Sequence, residues 1–94
     1  MTEWADMQPF RDRLDKIDDE IIRLFGERYK VRREVYAFKK AHDLPVIDQS
    51  RVNVVIDRAV QNALKQGVPT DFARALYELV IDHSHKFEEE CKAS

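Results

Sequence analysis

The sequence predicts an all-α protein, a chain of three helices (long, short, medium) that intertwines with a second copy as a homodimer. Three observations carry this expectation. Two glycines and three prolines in 94 residues leave little material for the tight turns of a many-stranded sheet. Hydrophobic residues at 44% and charged residues at 36% suit a folded helical protein and are too apolar for a disordered one. An apolar seam at heptad spacing then runs through the N-terminal part of the chain. At this length one domain, 1–94, is expected, with a core thin enough to gain from a partner.

The first helix is predicted from near Asp6 to about Ala41, with Pro9 tolerable in its first turn. Its seam is Phe10, Leu14, Ile17, Ile21 and Leu24, then Val31, Val35 and Phe38. That pattern marks a long helix packed against others. Arg28 occupies the slot the seam skips. A cation there must snorkel, pair with an acid or meet an anionic ligand, because burying it alone costs several kcal/mol, roughly. A helix of about 34 residues extends roughly 50 Å, whereas a compact globule of this size is only about 32 Å across. The overhanging seam therefore calls for a second chain to cover it.

His42 to Pro45 breaks the first helix, and Pro45-Val46-Ile47 reads as a short extended connection. Asp48 or Ser50 can cap a second helix, whose apolar face is Val52, Val55, Ile56, Ala59, Val60 and Ala63, ending at Gly67. Thr70 or Asp71 can cap a third, with a stripe of Phe72, Leu76, Leu79, Val80, His83 and Phe87.

Composition excludes several functions. A formal net charge of −2 gives no electrostatic case for nucleic acid or an anionic membrane. Cys91 is alone, so neither a disulfide framework nor a thiolate metal site is available. His42, His83 and His85 make no metal-ligand pattern, and no metal or cofactor is expected. No leader-like or bilayer-length apolar run is present, which points to a cytoplasmic protein. Between Arg23 and Lys40, however, seven cations face only Glu27 and Glu34. Such a cluster is usually a solvated face, with binding of a small anion as the alternative.

Arg28 and Lys39 are eleven residues apart, three turns, and so share a helix face roughly 16 Å apart. Ser84 and Glu88, four apart, project together from the third helix. Arg51 stands at the head of the second. Inward-facing cations between helices suit a small dicarboxylate. No nucleophile with a partnered base and no phosphate loop is visible, so an enzyme built this way would act by positioning and electrostatics.

The run Ile17-Asp18-Asp19-Glu20-Ile21-Ile22-Arg23-Leu24-Phe25-Gly26-Glu27-Arg28, followed by Val35 and Lys39, resembles the opening helix of the all-helical chorismate mutases. Pro45-Val46-Ile47-Asp48 and Arg51 resemble the head of that family's second helix. The resemblance extends over about residues 7 to 90, and it lies in the joint spacing of Arg11, Arg28, Lys39, Asp48, Arg51, Ser84 and residue 88. It implies a homodimer with shared active sites, each taking Arg28, Lys39, Asp48, Arg51, Ser84 and Glu88 from one chain and Arg11 from the other. Arg11 and Arg28 would grip two substrate carboxylates. Lys39 would bond the ether oxygen as chorismate rearranges to prephenate, a cofactor-free pericyclic step in the supply of phenylalanine and tyrosine.

Two departures stand out against the family pattern. Glu88 takes the place of a common Gln at the second ether-oxygen contact. Protonated, it donates a hydrogen bond as Gln does; ionised, it repels the developing charge. Activity rising as pH falls, and flattened in Glu88→Gln, is the expectation. Val52 stands where many mutases place a Glu on the ring hydroxyl, although Asp48 offers another contact and simple packing explains a valine equally well. An aminodeoxychorismate mutase therefore stays open. So do an isochorismate pyruvate-lyase of the same fold and a non-catalytic helical dimer that binds a partner.

Overall fold

The structure, a computed structural model, describes residues 4–93. A short 3-10 turn, Trp4–Met7, leads into α1 (Gln8–Ala41), α2 (Gln49–Gln66) and α3 (Thr70–Ala93). The all-α expectation holds in number and order of helices, and no strand occurs among the described residues. None of these helices is long and apolar enough to cross a membrane.

The chain divides into two units at a boundary inside α1, between Val31 and Arg32. The first unit is the opening turn and the N-terminal part of α1. None of its described residues is buried, and the seam residues Phe10, Leu14, Ile17, Ile21 and Leu24 are 45% to 57% exposed. The Arg11 guanidinium lies over the Trp4 ring, 5.7 Å from its centroid.

The second unit holds the end of α1 with α2 and α3. Here α1 closes in a left-handed turn. Leu44 N–H donates to Lys39 O at 2.8 Å, Asp43 N–H reaches toward Lys40 O at 3.4 Å, and Asp43 takes φ 55°. These bonds satisfy carbonyls left open at a helix end and reverse the chain. Asp48 caps α2, its carboxylate accepting from Arg51 N–H at 3.3 Å and from the Ser50 hydroxyl at 2.7 Å. Gly67, at φ 71°, ends α2 where the sequence places its end. The positive φ is what demands glycine there.

α2 packs on α3 through the small residues Ala59, Ala63 and Ala73, all buried, with Ile81 buried further along α3. The face expected for α2 is the one it turns inward. On α3 the buried line differs from the expected stripe: it is Ala73, Ile81, Ser84 and Glu88, while Phe72, Leu79 and His83 are exposed. α3 thus carries two faces, a small and polar one packed within the unit and a large apolar one left open. Arg33 lies over the Phe87 ring at 5.3 Å, which fastens the end of α1 to α3.

Candidate functional site

The two least exposed side chains in the described structure are both polar: Glu88 at 0% and Ser84 at 1%. A buried carboxylate requires compensation, since desolvating it alone is prohibitive. Glu88 has two cationic partners from the last turns of α1: Lys39 Nζ at 3.1 Å from Oε2 and Arg32 Nη1 at 3.4 Å from Oε1. Lys39 also donates to Val46 O at 2.6 Å, a contact that the turn at Asp43 makes possible by folding the connection back over α1. One ammonium thus joins α1, the α1–α2 connection and α3.

Above this cluster lies a cavity lined by Arg32 and Lys39 from α1, Val46 and Asp48 before α2, Arg51, Val52 and Val55 from α2, and Ile81 and His85 from α3. Its free volume is about 40 Å³, room for one or two waters. An adjoining cleft of about 510 Å³ shares Lys39 and Val46 and is bordered by Lys40 and Lys92. The cap geometry sets the charge of Asp48: the Ser50 hydroxyl, then the Arg51 N–H, hold its carboxyl below the usual aspartate value, so it stays an anion. His85 is also lowered, which for a base favours the neutral form. Burial is the main cause, and the positive charges of Arg32 and Lys39 add to it against the attraction of Glu88 and Asp82. The imidazole is therefore held below its ordinary value and neutral at pH 7.

Of the residues expected from sequence, Lys39, Asp48, Arg51 and Val52 line this one cavity. Glu88 lies beneath them, bonded to Lys39. Ser84 is buried on the same face of α3, and its hydroxyl donates to Val80 O at 2.8 Å, so it must turn to meet any ligand. Arg11 and Arg28 belong to the first unit, Arg28 half-buried and Arg11 exposed. Two further residues belong with the site. Arg32 is seven residues before Lys39 and on its face, a spacing the sequence does contain. His85, four residues after Ile81, was legible only as one more polar position on α3.

The cavity between the helices brings three cations, one carboxylate and a neutral imidazole around an apolar lining, a set of charges suited to a small anion. It offers neither a nucleophile–base pair nor a phosphate-binding loop. The family model for chorismate mutase type II matches residues 10–89, and the chain belongs to that family. It is 28% identical to a 4-amino-4-deoxychorismate mutase of Streptomyces venezuelae, over 95% of this chain and 86% of that protein. A chorismate mutase of Methanocaldococcus jannaschii is 24% identical over 79% of this chain and 75% of its own length. A second 4-amino-4-deoxychorismate mutase, of Streptomyces pristinaespiralis, is 26% identical over 94% of this chain and 68% of its own length.

Proposed function

We propose that the protein is a chorismate mutase, converting chorismate to prephenate by a concerted rearrangement, and that it does so in the cytoplasm as part of phenylalanine and tyrosine supply. The observation that carries the reading is the Lys39 ammonium. It is fixed by Val46 O and Glu88 at the edge of a cavity, pre-organised to meet negative charge as the ether C–O bond breaks. Such pre-organisation lowers a barrier without proton transfer or a covalent intermediate.

In this reading Arg28 and the partner subunit's Arg11 hold the substrate carboxylates. Arg51 adds positive charge at the head of α2, Asp48 contacts the ring substituent, Val52 packs on the ring, and Ser84 turns toward the bound acid. Glu88 orients Lys39 from beneath the cavity. Residues 1–94 act as one domain, and the active unit is a homodimer. The exposed seam from Phe10 to Leu24 supports this, because an apolar stripe of that length needs cover.

A second reading takes 4-amino-4-deoxychorismate as substrate. Two observations favour it: Val52 lines the cavity in place of an acid that would contact a ring hydroxyl, and two relatives that match most of this chain bear that activity in their names.

The test is product analysis after incubating the purified protein with chorismate, with its 4-amino counterpart and with isochorismate. Lys39→Ala serves as control and should lose at least about a hundredfold in kcat, the scale of one transition-state donor. Formation of prephenate or its 4-amino analogue supports the mutase. Salicylate and pyruvate from isochorismate alone, or no turnover of any of the three, overturns it.

A further inference from the structure

Of the polar groups that line the cavity, Arg32 and His85 have no part in the proposed reaction, and His85 is the one of the two that can change its charge near neutral pH. It sits on α3 one turn beyond Ile81 and less than one turn before Glu88, and it lines the cavity with Arg32, Lys39, Asp48 and Arg51. The charged groups around it come from every neighbouring element: Arg32 and Lys39 on α1, Asp48 and Arg51 at the head of α2, and Asp82 and Glu88 on α3. We propose that His85 is a substrate-binding residue: it takes up a proton from solvent as the anionic substrate enters and donates a charge-assisted hydrogen bond to a substrate carboxylate. The inference rests on the mutase reading and specifies how its site meets a dianion.

The argument is one of charge balance. In the empty cavity burial disfavours a proton on the imidazole, and Arg32 and Lys39 add to that cost against the attraction of Glu88 and Asp82. A dicarboxylate entering beside Arg32 and Lys39 offsets their field and brings its own negative charge close to His85. An opposite charge within hydrogen-bonding range favours the charged form of a neighbour by about one to three pK units. Thermodynamic linkage then makes the effect reciprocal: a ligand that draws a proton onto His85 binds more tightly as pH falls, by up to about tenfold for each unit of that shift. The imidazole is thereby a cation only when the anion is present. That avoids the permanent repulsion a fourth fixed positive charge would add to an empty pocket.

The test is a histidine titration followed by carbon-edited proton NMR, with and without saturating prephenate (or the 4-amino product, if that is the one formed). The His85 signal is assigned by its loss in His85→Gln. The expected result is a His85 midpoint that rises by about one unit or more on binding. In steady-state kinetics KM should fall between pH 7.5 and 5.5, and His85→Gln should flatten that fall. A contribution from Glu88 would appear in kcat instead, which separates the two groups. A protein that forms product yet shows no upward shift overturns the role of His85 and leaves the mutase reading standing. A protein that neither forms nor binds product overturns both.

Discussion

Replacing Glu88 by Gln tests whether the buried carboxylate holds α1 to α3. The substitution preserves shape but offers one acceptor oxygen where two cations now converge, so either Lys39 or Arg32 meets an amide N–H₂ in place of an oxygen. One charge-assisted hydrogen bond, worth about 1.5–3 kcal/mol, is lost. Two features reduce that figure. The Lys39 and Arg32 side chains are 18% and 22% exposed and can turn partly to water, and the Arg32 contact at 3.4 Å is long for a charged pair. Lys39 also keeps its bond to Val46 O. The expected loss is therefore about 1–2 kcal/mol for Glu88→Gln. For Glu88→Ala, which strands both cations over a cavity, it is about 3–5 kcal/mol. Urea unfolding followed by circular dichroism, at one fixed protein concentration because the stability of the proposed dimer depends on it, measures both. The difference should persist at about 0.5 M salt, since a buried pair is poorly screened. A Gln variant as stable as the parent would refute the reasoning and reduce the cluster to an incidental contact.

Other consequences follow from single positions. Gly67→Ala places a Cβ at φ 71° and should cost about 1–2 kcal/mol in the same unfolding assay, whereas Asp43→Gly, relieving φ 55°, should stabilise. Ile17→Asp, in the exposed seam, should leave helicity largely intact but shift the proposed dimer to monomer in sedimentation and abolish turnover. Because His85 has its native value depressed by burial, the unfolded state binds the extra proton first as pH drops. Stability should then be highest above about pH 6.5, the unfolded histidine value, and decline below it until the native value is passed; His85→Gln should remove that part of the decline. A wild-type stability that rises over the same interval would contradict the sign.

The helices were legible because their signals are local. The seam of α1 repeats with an unbroken period from Phe10 to Leu24, and Asp48 and Gly67 stand at the two ends of α2 where cap chemistry requires them. The inner face of α3 was not legible. Pattern reading weights bulky apolar side chains and so chose Phe72 and Leu79, whereas the face packed within this chain consists of Ala73, Ser84 and Glu88 with Ile81. Size and hydrophobicity say that a face will be covered, but not by which chain. The site divides the same way. Lys39 and Glu88 stand out singly, but their bond joins positions 49 residues apart, and nothing local announces that one acid serves both Lys39 and Arg32. His85 was missed for a related reason, since its chemistry is set by burial and by charges that include Arg32 and Lys39 from α1.

That distribution bears on how such a site works. A reaction that needs no proton relay or metal gains only from groups held in place, and each group must be held by something outside the substrate. Here the Lys39 ammonium, to which the proposed reaction gives the central part, is held by a carboxylate that itself has no exposure to water, so its position is fixed by packing of α3 and not by the exposed surface. The arrangement has a cost: the charge that anchors Lys39 also draws on the positive potential meant for the substrate. Substituting Glu88 should therefore move stability and rate in separable ways, with Gln loosening the fold while freeing Lys39 toward the ether oxygen. A variant that lost both together in proportion would mean that Glu88 acts only as scaffold.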